Sequence, residues 1–251
     1  REILDYRERY DLTQFVEVVL QIGHALEYAH THGVAHRDIK PENILAGPYG
    51  EVLLMDWGLA KVMGREEREE DHDFLEQVES VRSRTNIHDT RTGAISGTPA
   101  YMAPEQANGW NEHIDHRCDI YALGCILYEI LSGRSPYDGD SPAEILQRVL
   151  NGPPVPLELT QLLANKSPVE QYTDTNITNV WATSKLPKEL VEVCEGAMAR
   201  SLLERIDNVD EIIEAISREM DPTGKTAGWI SPCIFQLDNQ PQRFPGSGLR
   251  G

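Results

Sequence analysis

Within six residues the chain carries a carboxylate, an ammonium and a carboxamide: Asp38, Lys40 and Asn43, in the stretch His36-Arg37-Asp38-Ile39-Lys40-Pro41-Glu42-Asn43. A second carboxylate follows at Asp56, in Asp56-Trp57-Gly58, and a third motif, Gly97-Thr98-Pro99-Ala100-Tyr101-Met102-Ala103-Pro104-Glu105, comes later. Asn43 and Asp56 offer hard oxygen ligands, which suit Mg²⁺ bridging phosphate oxygens. Asp38 can orient a hydroxyl and accept its proton. Lys40, two residues on, can place a positive charge on the same side of the loop. Phosphoryl transfer from a nucleoside triphosphate asks a protein mainly for such positioning and charge compensation.

These side chains need elements to hold them. Leu12, Phe15, Val16, Val19, Leu20, Leu26 and Ala29 recur at three- and four-residue steps, so the spacing predicts an amphipathic helix of about five turns over Leu12 to His32. That helix leads directly into the first motif. Ile44-Leu45 and Val52-Leu53-Leu54-Met55 are short apolar runs around Gly47-Pro48-Tyr49-Gly50, the composition of a turn between two small strands. Such a hairpin would set Asn43 and Asp56 at neighbouring strand ends. Ile120 to Leu131 is apolar on nearly every face and predicts a helix buried all round. Ser141-Pro142-Ala143-Glu144 reads as a capping box opening a helix to about Leu150, and Asn208-Val209-Asp210-Glu211 repeats the device. Pro187 opens a further helix. Residues 64–96 and 152–180 read as irregular, and 221–251, rich in Gly and Pro without periodicity, as a tail or linker. No internal repeat is present.

The three motifs, in this order and at these separations, resemble the catalytic half of a protein kinase. The wordings Tyr101-Met102-Ala103-Pro104-Glu105-Gln106 and Asp119-Ile120-Tyr121-Ala122-Leu123-Gly124 are most similar to bacterial serine/threonine kinases. The resemblance covers about residues 1–217. It implies an α+β, protein-kinase-like fold, with this chain as the mainly α-helical large (C-terminal) lobe and a short β-hairpin near the catalytic loop. Residues 1–220 would form that lobe, with the catalytic loop at 36–43 and the activation segment at 56–105. So little chain precedes His36 that the resemblance also implies a fragment lacking the glycine-rich loop and strand lysine, and hence weak activity in isolation.

Roles follow from the resemblance residue by residue. Asp38, Lys40, Asn43 and Thr98 would carry catalysis, Thr98 by contacting both Asp38 and Lys40. Lys40, Glu42, Asn43, Leu45 and Asp56 would bind ATP, with Asn43 and Asp56 holding Mg²⁺. His36 would pack beneath Trp57, which stands where the family more often has Phe, and Gly58 completes that motif. Arg37 would pair with a phosphate on the activation segment, for which Thr85, Thr90, Thr92 and Ser96 are the candidate acceptors. Glu105 would pair with Arg205, and Asp119 would accept hydrogen bonds from the catalytic-loop backbone. The implied partner is a protein substrate bearing a Ser or Thr acceptor.

Composition narrows the alternatives. A formal net charge of −18, from 41 acidic against 23 basic residues, disfavours binding to a phosphate backbone. Much of the excess sits in Arg65-Glu66-Glu67-Arg68-Glu69-Glu70-Asp71-His72-Asp73, which reads as a solvated face. The four cysteines, at 118, 125, 194 and 233, form no C-x-x-C pair and read as reduced thiols of a cytoplasmic protein. No apolar run is long enough for a membrane span, so membrane contact by this segment is not expected, although a tether elsewhere is compatible. His113, His116 and Cys118 are too few to read as a metal site. A pseudokinase or scaffold would be expected to have lost some of Asp38, Lys40, Asn43 and Asp56. A small-molecule kinase of the aminoglycoside or choline type would lack the Gly97-to-Glu105 stretch. Oligomeric state is open.

Overall fold

The structure, a computed structural model, describes residues 12–47, 50–62, 99–164 and 186–220. Helix α1 (Leu12–Thr31) turns Val16, Val19, Leu20, Ile22, Leu26 and Ala29 inward, each less than a tenth exposed. Full burial of such side chains stabilises by about 1.5–3 kcal/mol apiece before entropy is counted. The helix ends where the His32 and Gly33 amides donate to the Ala29 and His30 carbonyls, with Gly33 at φ 72°, a left-handed turn that glycine adopts without strain.

Among the described residues four short strands follow. β1 (Val34–Ala35) pairs antiparallel with β4 (Lys61–Val62), and β2 (Ile44–Ala46) pairs antiparallel with β3 (Val52–Leu54) in the register Ile44↔Leu54, Leu45↔Leu53 and Ala46↔Val52. The second pair is the expected hairpin. The first has only two residues on each side, too few for a periodic signal.

The helical body consists of α2 (Pro104–Asn108), α3 (Arg117–Ser132), α4 (Pro142–Asn151), α5 (Leu157–Ala164), α6 (Lys188–Ala197) and α7 (Val209–Met220). Every residue of α3 from Cys118 to Ser132 is buried, and α1, α5 and α6 pack around it. α1 also lies against α7, where Gly23 lets the Ile213 side chain approach so closely that a Cβ would sit 2.9 Å from it. The result is the α+β architecture expected above: a helical lobe with its hairpin beside residues 36–43.

Two local expectations are corrected. The 152–180 stretch is not irregular throughout, because α5 forms directly after Pro156, whose carbonyl accepts from the Leu159 and Thr160 amides. Leu157 anchors that helix in the core, fully buried, and the Tyr128 hydroxyl donates to the Val155 carbonyl just before it. At α4 the Ser141 hydroxyl accepts from the Glu144 amide as expected, but the Glu144 carboxylate accepts from the amide of Asp140, one residue further out than a capping box requires. The chain divides into two units, Arg1–Met220 and Asp221–Gly251; the second lies outside the described residues. The acidic run of residues 65–73 lies outside them too.

Candidate active site

The loop between β1 and β2 is held from below by the core. Asp119, in the first turn of α3 and fully buried, accepts from the His36 amide at 2.8 Å, the Arg37 amide at 2.7 Å and His30 Nε2 at 2.9 Å. A buried carboxylate needs donors to offset its lost hydration, and the loop backbone supplies two of them. Arg37 adopts φ 69°, a left-handed conformation that costs a non-glycine residue roughly 1–2 kcal/mol.

Asp38 sits at the centre of the cluster. Its Oδ2 accepts from Lys40 Nζ at 2.6 Å and from Asn43 Nδ2 at 3.0 Å, and Asn43 Nδ2 also donates to the Asp38 carbonyl at 2.7 Å. Pro41–Asn43 form one tight turn after Lys40, which brings the carboxamide back over the aspartate. With its amide nitrogen committed to Asp38, Asn43 keeps its side-chain oxygen as the atom suited to a hard cation.

The hairpin carries Asp56 to the same end. The Met55 amide donates to the Asn43 carbonyl at 2.8 Å, and His36 Nε2 donates to the Met55 carbonyl at 3.0 Å. The Asp38 amide approaches His36 Nδ1 at 3.3 Å, so the two contacts together require the neutral Nε2–H tautomer. Asp56 has φ 59°, and its carboxylate accepts from the Gly58 amide at 3.4 Å. Arg37 and Asp56 are the non-glycine residues at positive φ among the described residues, and both belong to this cluster. Backbone strain gathers where side chains must be aimed.

Trp57 stacks edge-on to His36 with ring centroids 4.5 Å apart, and its indole N–H donates to the Leu54 carbonyl at 3.0 Å. Arg37 Nε donates to the Leu59 carbonyl at 2.6 Å. Leu45 lies opposite Leu53 on the exposed face of the hairpin, and Glu42 is exposed.

At the far end of the third motif, Glu105 and Arg205 form a bidentate pair at 2.6 and 2.9 Å, both buried. The Tyr101 hydroxyl donates to the Glu129 carboxylate in a buried contact, and burial followed by the Glu129 charge pushes that phenol far above its ordinary range. Thr98, Thr85, Thr90, Thr92 and Ser96 lie outside the described residues.

His113 stacks on Trp110, His116 Nε2 donates to the Asp207 carbonyl at 2.8 Å, and Cys118 is buried in the core. Two contributors were not anticipated from the sequence. His30 completes the coordination of Asp119, and its position four residues after buried Leu26 was the available signal. Gln106 is 2% exposed, donates from Nε2 to the Arg37 carbonyl at 2.9 Å and accepts from the Ala103 amide at 3.1 Å. Its signal was a polar residue inside a buried stretch.

A carboxylate hydrogen-bonded to a lysine and a carboxamide, with a second carboxylate at the end of the adjoining hairpin, is chemically able to orient a hydroxyl and to offer hard oxygen ligands to a cation. The family model "Protein kinase domain" matches residues 1–206. The chain belongs to the protein kinase family. Among similar proteins, serine/threonine-protein kinase PknD of Protochlamydia amoebophila is 34% identical over 240 residues, covering 95% of this chain and 21% of that protein. Serine/threonine-protein kinase PknB of Mycolicibacterium smegmatis is 37% identical over 141 residues, covering 56% of this chain and 19% of that one. The chain thus spans about a fifth of the length of the curated relatives it matches. A solved structure titled "Titin kinase and its flanking domains" matches the fold with a TM-score of 0.52 at 17% identity, over 84% of this chain and 30% of that one. By the names of these relatives the chain is similar to bacterial serine/threonine-protein kinases, and the candidate site is built on α3 and the hairpin.

Proposed function

We propose that this lobe serves a serine/threonine protein kinase that transfers the γ-phosphate of ATP to hydroxyls of protein substrates. The observation that carries the reading is the convergence of Lys40 Nζ and Asn43 Nδ2 on a single carboxylate oxygen of Asp38. Asp38 orients the acceptor hydroxyl and takes its proton, while Lys40 holds the aspartate and offers positive charge beside the transferred group. The donor set fits Mg²⁺, since the Asn43 carboxamide oxygen and the Asp56 carboxylate are hard ligands. When bound, the cation offsets charge on the phosphate oxygens. Glu42 and the exposed Leu45 complete the nucleotide-facing set in this reading, and Thr98 is assigned to the substrate side.

His36, Trp57 and Gly58 hold the Asp56 segment, and Glu105, Asp119 and Arg205 hold the loop and the lobe beneath it. Arg37 is proposed to receive a phosphate on the 56–105 segment, at Thr85, Thr90, Thr92 or Ser96. Residues 1–220 are taken as the lobe and 221–251 as a tail, a division supported by the compact unit ending at Met220. The glycine-rich loop and strand lysine are taken to belong to a longer protein, which the length of the relatives supports. No helix among the described residues is long and apolar enough to cross a membrane. Placement in the cytoplasm, where ATP is plentiful, and the lack of a nucleic-acid partner are part of the same proposal.

The test is transfer of labelled γ-phosphate to a Ser/Thr peptide by the full-length protein, wild type against Asp38→Asn. A loss of about 10²-fold or more is expected for removing a general base. Equal rates would refute catalysis and leave a scaffold role.

A further inference from the structure

Gln106 ends one of the motif wordings but received no role from them, yet it touches the peptide unit on which the Asp38 carboxylate turns. The Arg37 carbonyl and the Asp38 amide belong to one peptide plane. Gln106 Nε2 donates to that carbonyl at 2.9 Å, and the Asp38 amide approaches His36 Nδ1 at 3.3 Å, so the plane is held at both edges. The preceding plane is held by the Arg37 amide on Asp119 Oδ1 at 2.7 Å. Between the two planes lies Arg37 at φ 69°, a conformation that an arginine keeps only when its surroundings over-determine it.

The amide of Gln106 is itself fixed. Its Oε1 accepts from the Ala103 amide at 3.1 Å, and the residue is 2% exposed. A carboxamide is the group that presents one acceptor and one donor from the same planar end, so a single side chain can join the 103–106 turn to the 36–43 loop. The two partners lie 69 residues apart in sequence.

We propose that Gln106 is a positioning residue for phosphoryl transfer: its carboxamide clamps the Arg37–Asp38 peptide plane to the start of α2 and so aims the Asp38 carboxylate at the acceptor hydroxyl. The inference rests on the kinase reading above. It predicts an effect on turnover rather than on nucleotide binding, because among the described residues the side-chain hydrogen bonds of Gln106 go to Ala103 and Arg37, outside the nucleotide-facing set. It also links the end of the 56–105 segment to the aspartate by one side chain, so a rearrangement of the 99–106 region reaches Asp38 through Gln106.

The experiment uses the full-length protein and compares wild type, Asp38→Asn, Gln106→Met and Gln106→Glu in peptide phosphorylation. Gln106→Met matches glutamine in length and volume but has no donor, and it should lower kcat by about 10- to 100-fold while KM for ATP stays within about twofold of wild type. Gln106→Glu can still donate to the Arg37 carbonyl when protonated. It should therefore outperform Gln106→Met, by a margin that widens as pH falls from about 8 to about 6. A residue that merely fills space would show neither the kcat-only loss nor the pH-dependent lead. Gln106→Met with wild-type kcat, or two variants equal at every pH, would overturn the inference, and Gln106→Met keeps the test open if the added carboxylate prevents folding. An inactive wild type would sink the kinase reading and this inference together, whereas an active wild type with unaffected Gln106 variants would sink the inference alone.

Discussion

Replacing Arg205 by methionine should be among the most damaging single changes away from the chemistry. The Arg205 and Glu105 side chains are 0% and 3% exposed and share two hydrogen bonds, at 2.6 and 2.9 Å. The guanidinium also donates to the Ala199 and Arg117 carbonyls and lies 4.9 Å from the centre of the Tyr121 ring. Methionine keeps some of the aliphatic packing but strands the Glu105 carboxylate in the core, and breaking a buried pair in this way costs about 3–5 kcal/mol. For a domain of this size each kcal/mol moves Tm by roughly 2–4 °C, so Arg205→Met should lower it by roughly 6–20 °C. Glu105→Gln strands the guanidinium instead and should be comparably harmful. The double variant Glu105→Gln/Arg205→Met removes both charges and should recover a large part of the loss, since a buried pair adds little over a neutral replacement. Thermal unfolding of the full-length protein, followed by circular dichroism with all four forms in parallel, measures this. A shift below about 2 °C for Arg205→Met, or a double variant as unstable as the summed singles, would refute the reasoning.

Gly124→Ala should destabilise the lobe, because a Cβ there would sit 2.8 Å from the Ala197 Cβ and 2.9 Å from the Met198 Cγ; overpacking of about 1–3 kcal/mol exceeds the helix-propensity gain of about 1 kcal/mol, and a lowered urea midpoint checks it. Cys118, Cys125 and Cys194 are buried, and burial pushes their thiols above the ordinary range, so maleimide should label them in denaturant and leave them unmodified in the native state; rapid native labelling of any of the three would contradict the packing. Burial alone would raise the Asp115 carboxyl, but hydrogen bonds and charge from Arg117 outweigh it and hold it below the usual carboxylate range. A depressed folded value stabilises above the unfolded value of about 4 and is lost as pH falls through the folded value, so the stability gap between wild type and Asp115→Asn should close below about pH 4 in acid titrations followed by unfolding.

How far the molecule could be read beforehand depended on how local each cause was. α1 and α3 announce themselves because their apolar positions repeat within one element, and α4 because Ser141 and Pro142 act on the residues next to them. The hairpin was legible from two apolar runs around a glycine-proline turn. α5 was hidden by the prolines that precede it, which read as loop although Pro156 supplies its first acceptor. The β1–β4 pair was hidden by its two-residue length. Within the candidate site, Asp38, Lys40 and Asn43 fall inside one loop and were grouped by their residue types together with the resemblance to protein kinases. His30 and Gln106 reach their partners across 89 and 69 residues, so local pattern could flag each as a polar residue on a buried face but could not name its partner.

Those long-range contacts explain why the loop holds a conformation that it would not hold alone. Asp119 sits in the first turn of α3, where the helix dipole favours a carboxylate, and it is fully buried among residues that pack α3 on all sides. Its position is therefore set by the core, and the His36 and Arg37 amides take theirs from it at 2.8 and 2.7 Å. Gln106 closes the other side of the Arg37 unit, from a turn tied to the core by the neighbouring Glu105–Arg205 pair. The left-handed Arg37 is thus held between two parts of the same compact unit, and the direction of the Asp38 carboxylate follows from that unit's packing. A substitution that lets α3 or α2 shift should misdirect Asp38 before it unfolds the lobe, so turnover should fall under conditions where circular dichroism still reports a folded chain.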